Sequence, residues 1–244
     1  WTQQAKLLAG DGSVSDHFGN SVALSGDTAL VGAFNDDDKG VDSGSAYVFV
    51  RSGATWTQQA KLLASDGVTG EVFGNSVAVS GDTVLVGEQT DSDVGFTAFG
   101  SAYVFARSGS IWTQQAKLIA NDKADFDQFG RSVALSNGTA LVGAPYSDIT
   151  GQNSGSAYVF AQNGSSWAQQ QKLVASDSVA DDWFGISVAL SGDTALVGAS
   201  DFSGLSSGSA YIFVRSGSTW SEQAKLVASD AALGDDFGYA VAVA

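Results

Sequence analysis

The sequence predicts an all-β fold built from copies of one antiparallel unit, and three observations lead to this prediction. Two motifs recur with a period of about 55 residues, one opening on tryptophan and the other on a Phe-Gly pair. Each copy contains short β-branched and aromatic runs separated by glycine-containing turns, and no long segment has the apolar period of a helix. Such a period indicates stacked supersecondary units. The motifs begin at Trp1, Trp56, Trp112, Trp167 and Trp220, and at Phe18, Phe73, Phe129, Phe184 and Phe237.

The first complete repeat shows the unit as four strands, which we name A to D. Strand A is Ser21–Leu24 and strand B is Thr28–Gly32, and the Ser-Gly-Asp between them is a hairpin signal. After a polar segment, Ser45–Val50 forms strand C and Trp56–Leu62 forms the more polar strand D. A glycine ends strand B in every complete repeat, which suits a close approach between backbones.

The gradient from apolar strand A to polar strand D predicts a β-propeller of four-stranded antiparallel blades, with strand A innermost. We expect one domain over residues 1–244, with four complete blades plus two terminal strands, either complete or as a piece of a longer repeat array. Linear stacking into a solenoid is the alternative architecture. The expected segments are a lone strand D at 1–9, blades at about 17–64, 72–120, 128–175 and 183–228, and a lone strand A at 237–244.

The composition restricts the classes of function. The formal net charge is −15, which disfavours nucleic acid and anionic membranes and favours cations or basic partners. Cysteine is absent, so disulfides and thiolate chemistry are excluded. No apolar run is long enough to span a membrane, so no membrane insertion is expected. The chain also lacks methionine, and we expect it to be a mature or trimmed form from which any signal peptide has been removed.

Most of the 26 acidic residues fall in the B–C and D–A loops, which lie on the same face of a propeller. This predicts a polarised disc with one strongly negative face. One acidic residue lies seven positions before each repeat's phenylalanine and another lies two positions before it, as Asp11 and Asp16 do before Phe18. Because both series recur in every repeat, we interpret them as caps of loop backbone rather than ligands.

The B–C loops differ between repeats, so they are the better place for specificity. Clustered hard oxygens suit calcium, and the loops provide candidate metal ligands at Asp36, Asp38, Asp42, Asp91 and Asp93. A solvated acidic loop is the alternative. Loop aromatics can pack on a sugar or a partner protein, although they can equally cover the loop's own core. The candidate partner-binding residues are Phe34, Phe96, Phe99, Tyr146 and Phe202. We expect the single histidine, His17, to be an exposed loop residue.

These motifs resemble the FG-GAP repeat, the blade unit of integrin α-subunit propellers, in its bacterial form. The Phe-Gly pair is present in all five repeats, while Gly-Ala-Pro is literal only at Gly143-Ala144-Pro145; the other repeats have Gly32-Ala33-Phe34, Gly87-Glu88-Gln89 and Gly198-Ala199-Ser200. Integrin-like propellers carry calcium in a long Asp-rich loop within some repeats. The A–B connections here are too short for that loop, so that site is not carried over.

The resemblance implies a non-catalytic, extracellular or cell-surface binding or adhesion propeller whose loop face meets a protein or glycan partner, with calcium as a candidate cofactor. A structural module of a larger surface or filament protein is one alternative. A carboxylate-based polysaccharide-active enzyme is another, although no catalytic residue is assigned, because a glycosidase needs two acids facing across one cleft. The incomplete terminal blade also predicts self-association through open strand edges.

Overall fold

A computed structural model describes residues 2–91, 98–200 and 206–244, and the described part of the chain is all-β. The strands are short, and their bounds follow the predicted A–B–C–D order in each repeat. They are β1 Val22–Ser25, β2 Thr28–Ala33, β3 Ser45–Ser52, β4 Thr55–Leu62, β5 Ser76–Ser80, β6 Thr83–Glu88, β7 Ser101–Ser108, β8 Ile111–Leu118, β9 Ser132–Ser136, β10 Thr139–Ala144, β11 Ser156–Asn163, β12 Ser166–Leu173, β13 Phe184–Ser191, β14 Thr194–Ala199, β15 Ser209–Ser216 and β16 Thr219–Leu226.

These strands form four antiparallel sheets, each containing four strands that are consecutive in sequence. We call the sheets blades 1 to 4, in chain order. Two-residue turns join strands A and B, as between Ser25 and Thr28, and also strands C and D. The glycine that opens the first turn, Gly26, has a φ of 56°, which a side chain would disfavour. The predicted hairpins are therefore confirmed.

Apolar residues of neighbouring blades pack together to form the core. One cluster joins Leu85 and Val104 of blade 2 to Phe129 and Tyr158 of blade 3. Strand A segments of all five repeats, including residues 239–241, line one shared cavity of about 480 Å³. Because a linear stack would separate the first strand A from the last, the shared cavity indicates a propeller-like arrangement rather than a solenoid.

The Phe-Gly pair joins each blade to the one before it. Phe73 donates its backbone N–H to Ser43 O at 3.0 Å, and Ser21 Oγ donates to Gly74 O at 2.7 Å. A Cβ on Gly32 would lie only 2.0 Å from Gly74 O. The glycine at the end of strand B is therefore required by close backbone approach, as predicted.

The terminal segments predicted as a lone strand D and a lone strand A, 1–9 and 237–244, are not strands within the described residues. Neither segment belongs to any of the four sheets of the described residues. Both segments nevertheless make the hydrogen bonds that equivalent segments make in the other repeats. Gln4 accepts a hydrogen bond from Trp56 Nε1 at 3.3 Å, just as Gln59 accepts one from Trp112 Nε1 at 2.9 Å, and Gly238 O accepts one from Ser187 Oγ at 2.7 Å.

Within the described residues, no helix is long and apolar enough to cross a bilayer.

Candidate functional site

The B–C and D–A loops emerge at one end of the strands, and lysines from strand D reach into this loop face. Each lysine pairs with the acid seven positions before a phenylalanine: the distances are 2.8 Å for Lys61–Asp11, 2.7 Å for Lys117–Asp66, 2.8 Å for Lys172–Asp122 and 2.7 Å for Lys225–Asp177. A buried tyrosine of strand C adds a hydrogen bond in blade 4, where Tyr211 Oη donates to Asp177 at 2.8 Å. The face predicted to be strongly negative therefore carries its own cations, which offset part of its charge.

The two acidic series have different structural roles. The acid two positions before the phenylalanine caps loop backbone as predicted: Asp16 accepts the N–H of Ser13, and Asp127 accepts that of Ala124. The acids seven positions before the phenylalanine instead bind mainly the strand D lysine and the strand C tyrosine. The hydrogen bond from Lys61 is the largest effect on Asp11 and lowers its pKa below the ordinary value.

In blade 1 an internal cation lies between two of the predicted metal ligands. Lys61 Nζ lies 2.9 Å from Asp36 and 2.7 Å from Asp38. Asp36 is buried and also accepts hydrogen bonds from Ser45 and Tyr47. The backbone N–H of Asp42 donates to Asp37, and the Asp42 side chain is not part of this cluster.

Blade 2 contains a different group of acids. Carboxylate oxygens of Glu71, Glu88 and Asp91 all lie within 4.8 Å of one another, and all three residues are buried. Asp91 was predicted as a metal ligand, whereas Glu71 and Glu88 were not. The fifth predicted ligand, Asp93, lies outside the described residues, as do Phe96 and Phe202 among the predicted partner-binding residues.

Glu88 is the most unusual member of this group. It ends the buried strand β6 and has no exposed surface, and its Oε2 accepts a hydrogen bond from Ser101 Oγ at 3.2 Å. The Tyr103 hydroxyl also interacts with this carboxyl group. Its Oε1 accepts no hydrogen bond within the described part of the chain. Burial raises the pKa of Glu88 to about 9, and the charges of Glu71 and Asp91 act in the same direction.

The repeats themselves contain the signal that could have identified Glu88. The corresponding positions at the end of strand B are Ala33, Ala144 and Ala199, all buried. A carboxylate in place of that methyl group loses its hydration, which is costly. Such a residue is therefore a candidate for a functional role. As a motif, Gly87-Glu88-Gln89 is only a departure from Gly-Ala-Pro.

The described loop aromatics are less available to a partner than predicted. Phe99 is buried, with Lys123 Nζ 3.4 Å from its ring centroid. Phe34 and Tyr146 are half-buried and lie against rings of D–A loops, at 4.9 Å from His17 and 4.9 Å from Trp183 respectively. His17 itself is exposed, as predicted.

The D–A loops instead expose apolar side chains that the sequence analysis did not select. One lies in each of the five loops, between the two acids: Val14 is 96% exposed, Val68 50%, Phe126 63%, Val179 59% and Leu233 74%. Phe126 also has a φ of 70°, a left-handed conformation that aromatic residues rarely adopt. Exposed apolar groups inside an acidic border are typical of an interaction surface.

The fold and this loop face define the class of protein, a β-repeat module with variable loops on a regular scaffold. The FG-GAP repeat family matches residues 1–49, 56–105, 112–160, 167–213 and 220–244, so the chain belongs to this family. The matched units begin at the five repeated tryptophans, which confirms the resemblance drawn from the motifs. No curated protein matches the chain.

Proposed function

We propose that this chain is a non-catalytic, extracellular binding module that presents its loop face to a partner protein. The observation that carries the proposal is the exposed apolar residue in every D–A loop, with acidic residues on both sides of it. Such a surface fits a partner with apolar side chains inside a basic border. Family membership supports the proposal, since FG-GAP repeats are typical of surface proteins. A glycan partner is the alternative outcome of the test.

Phe126 is the best candidate for the central contact of this surface, because an exposed aromatic side chain supplies the most apolar contact area. The test measures binding of the purified chain and of Phe126→Ser to panels of immobilised proteins and glycans. Ile111→Ser is the matched control, because Ile111 is 66% exposed at the opposite end of the strands. We expect Phe126→Ser to weaken protein binding by about 10-fold or more and Ile111→Ser to leave it unchanged. Equal binding by all three forms would contradict the proposal.

A second candidate function is structural, namely head-to-tail assembly through the outer faces of blades 1 and 4. Leu24 of blade 1 is 67% exposed, although the equivalent Leu135 is 8% exposed. Leu226 of blade 4 is 37% exposed, although the equivalent Leu62 is 3% exposed. These faces correspond to the two sides of every interface between blades, so we propose that a second copy of the chain covers them and that the ring is completed in this way.

Sedimentation over a range of concentrations tests this assembly. We expect the mass to rise with concentration for the unmodified chain, and Leu24→Lys to hold it at the monomer value. A monomer at every concentration would exclude self-association and leave the binding proposal untouched.

A further inference from the structure

We propose that Glu71, Glu88 and Asp91 bind a divalent cation, calcium in preference to magnesium, within blade 2. The proposal concerns the stability of the loop face and does not depend on which partner the face binds.

The spacing of the donor atoms fits this ion. Calcium binds oxygen at about 2.3–2.6 Å, so two oxygens on opposite sides of one ion lie about 4.6–5.2 Å apart. Each of the three acids offers an oxygen, and these oxygens lie within 4.8 Å of one another. Magnesium requires distances of about 2.0–2.1 Å and near-octahedral geometry. A limit of 4.8 Å admits either ion, but magnesium is usually bound by one or two carboxylates and keeps several waters. The three buried carboxylates therefore favour calcium, with water or backbone carbonyls as further ligands.

The independent sign of a ligand is Glu88 Oε1. This oxygen is buried and accepts no hydrogen bond among residues 2–91, 98–200 and 206–244, although the Glu88 side chain is fixed by Ser101. A buried polar oxygen without a partner is costly. A cation held jointly with Glu71 and Asp91 would satisfy it.

The strand D lysine of blade 2 is paired with acids other than Glu88. Lys117 Nζ lies 2.7 Å from Asp91 and 2.7 Å from Asp66, so it bridges these two acids. In blade 1 the corresponding Lys61 meets Asp36 and Asp38, and the residue at the Glu88 position is Ala33. Blade 2 therefore has a buried carboxylate beyond those that its lysine contacts.

The repeats provide a substitution that should fold. Glu88→Ala introduces the residue that the other three complete blades carry at this position, and Glu88→Gln keeps the shape while removing the charge. The matched control is Asp38→Asn, which removes an acid from the same face of blade 1. All forms are purified in chelator and their melting temperatures compared in calcium, in magnesium, and in sodium chloride at equal ionic strength. Calorimetric titration gives the stoichiometry.

For the unmodified chain and for Asp38→Asn, we expect calcium to raise the melting temperature and to bind at one tight site. Both Glu88 variants should lose this shift, and the dissociation constant should be weakened by at least the roughly 10–100-fold that losing an outer-shell partner of a metal costs. Three outcomes would overturn the proposal: no calcium-specific effect on the unmodified chain, full calcium binding by Glu88→Ala or Glu88→Gln, or equal loss in Asp38→Asn, which would indicate diffuse attraction to the acidic face. None of these outcomes bears on whether Phe126 contacts a partner.

Discussion

Blades 1 and 2 have nearly the same strands, yet their buried acidic residues have different partners. In blade 1 the buried Asp36 receives hydrogen bonds from Ser45 and Tyr47 and an ion pair from Lys61. In blade 2 the strand B position that holds Ala33 in blade 1 is occupied by Glu88, which joins two other buried acids. The comparison shows that the strand pattern determines the scaffold, while one side chain at a strand end changes the chemistry of the loop face.

The two blades also differ in how completely their phenylalanines are covered. Phe73 is fully buried against Leu30 and Val48 of blade 1. Phe18 is only half-buried, and the cluster it packs against is covered by Leu7 and Ala9 of segment 2–9 where the other blades have a preceding blade. The interface between blades, and not the motif alone, therefore determines how much each phenylalanine contributes to stability.

The largest effect is expected from removing these phenylalanines. Phe73→Ala should lower the free energy of unfolding by about 3–5 kcal/mol, because it removes a fully buried ring and leaves a cavity. Phe18→Ala should cost roughly half as much, because less of its ring is buried. Urea denaturation of both variants measures the difference. Equal losses would mean that segment 2–9 covers blade 1 as well as a whole blade would.

A smaller effect is expected from the strand D lysines. Lys61→Met should cost about 3 kcal/mol, because it leaves the buried Asp36 without its cation. Lys172→Met should cost at most about 1 kcal/mol, since its partner Asp122 is half exposed and blade 3 has Ser147 where blade 1 has Asp36. Chemical denaturation at neutral pH tests the pair. A larger loss for Lys172→Met would contradict the role assigned to the buried acid.

The smallest effect on stability is expected from Asp11, whose contribution depends on pH. The hydrogen bond from Lys61 lowers the pKa of Asp11 in the folded state below the ordinary value of 3.8. The folded state therefore binds fewer protons than the unfolded state in this range, so the contribution is present above about pH 4 and is lost as the pH falls through the lowered pKa.

Removing this carboxylate gives the matched test. Asp11→Asn should destabilise the chain by less than about 1 kcal/mol at pH 7, because the pair is largely exposed. The difference from the unmodified chain should disappear near pH 2, as measured by thermal unfolding across the pH range. A difference that persists in acid would show that Asp11 acts through something other than its charge.

Local pattern predicted much of the architecture. The Ser-Gly-Asp turns, the β-branched runs and the glycine after strand B each gave the correct element, because turn chemistry and close approach depend on the residues at those positions. The prediction of terminal strands was wrong for the described residues 2–9 and 237–244, because a strand requires a hydrogen-bonding neighbour and neither segment pairs with a strand of the described sheets.

The candidate site was predicted less well, because the environment of a loop residue depends on other elements. Asp36 and Asp38 looked like a metal pair, but Lys61 from strand D lies between them. The described aromatics of the B–C loops looked available, but rings or a lysine from the D–A loops lie against them. The exposed Phe126 was overlooked, because a short loop between two acids gives no sign of which side chain points outward.

The repeat, its four strands, its turns and its acidic character can be read from the chain, since they depend on residues close together in sequence. Which charges meet depends on the fold. Glu71 lies 17 residues before Glu88 in the chain, and Lys61 lies 50 residues after Asp11. Such pairs form only when the D–A loop, the end of strand B and strand D converge at one end of a blade, and the balance of charge and burial there determines the chemistry of the site.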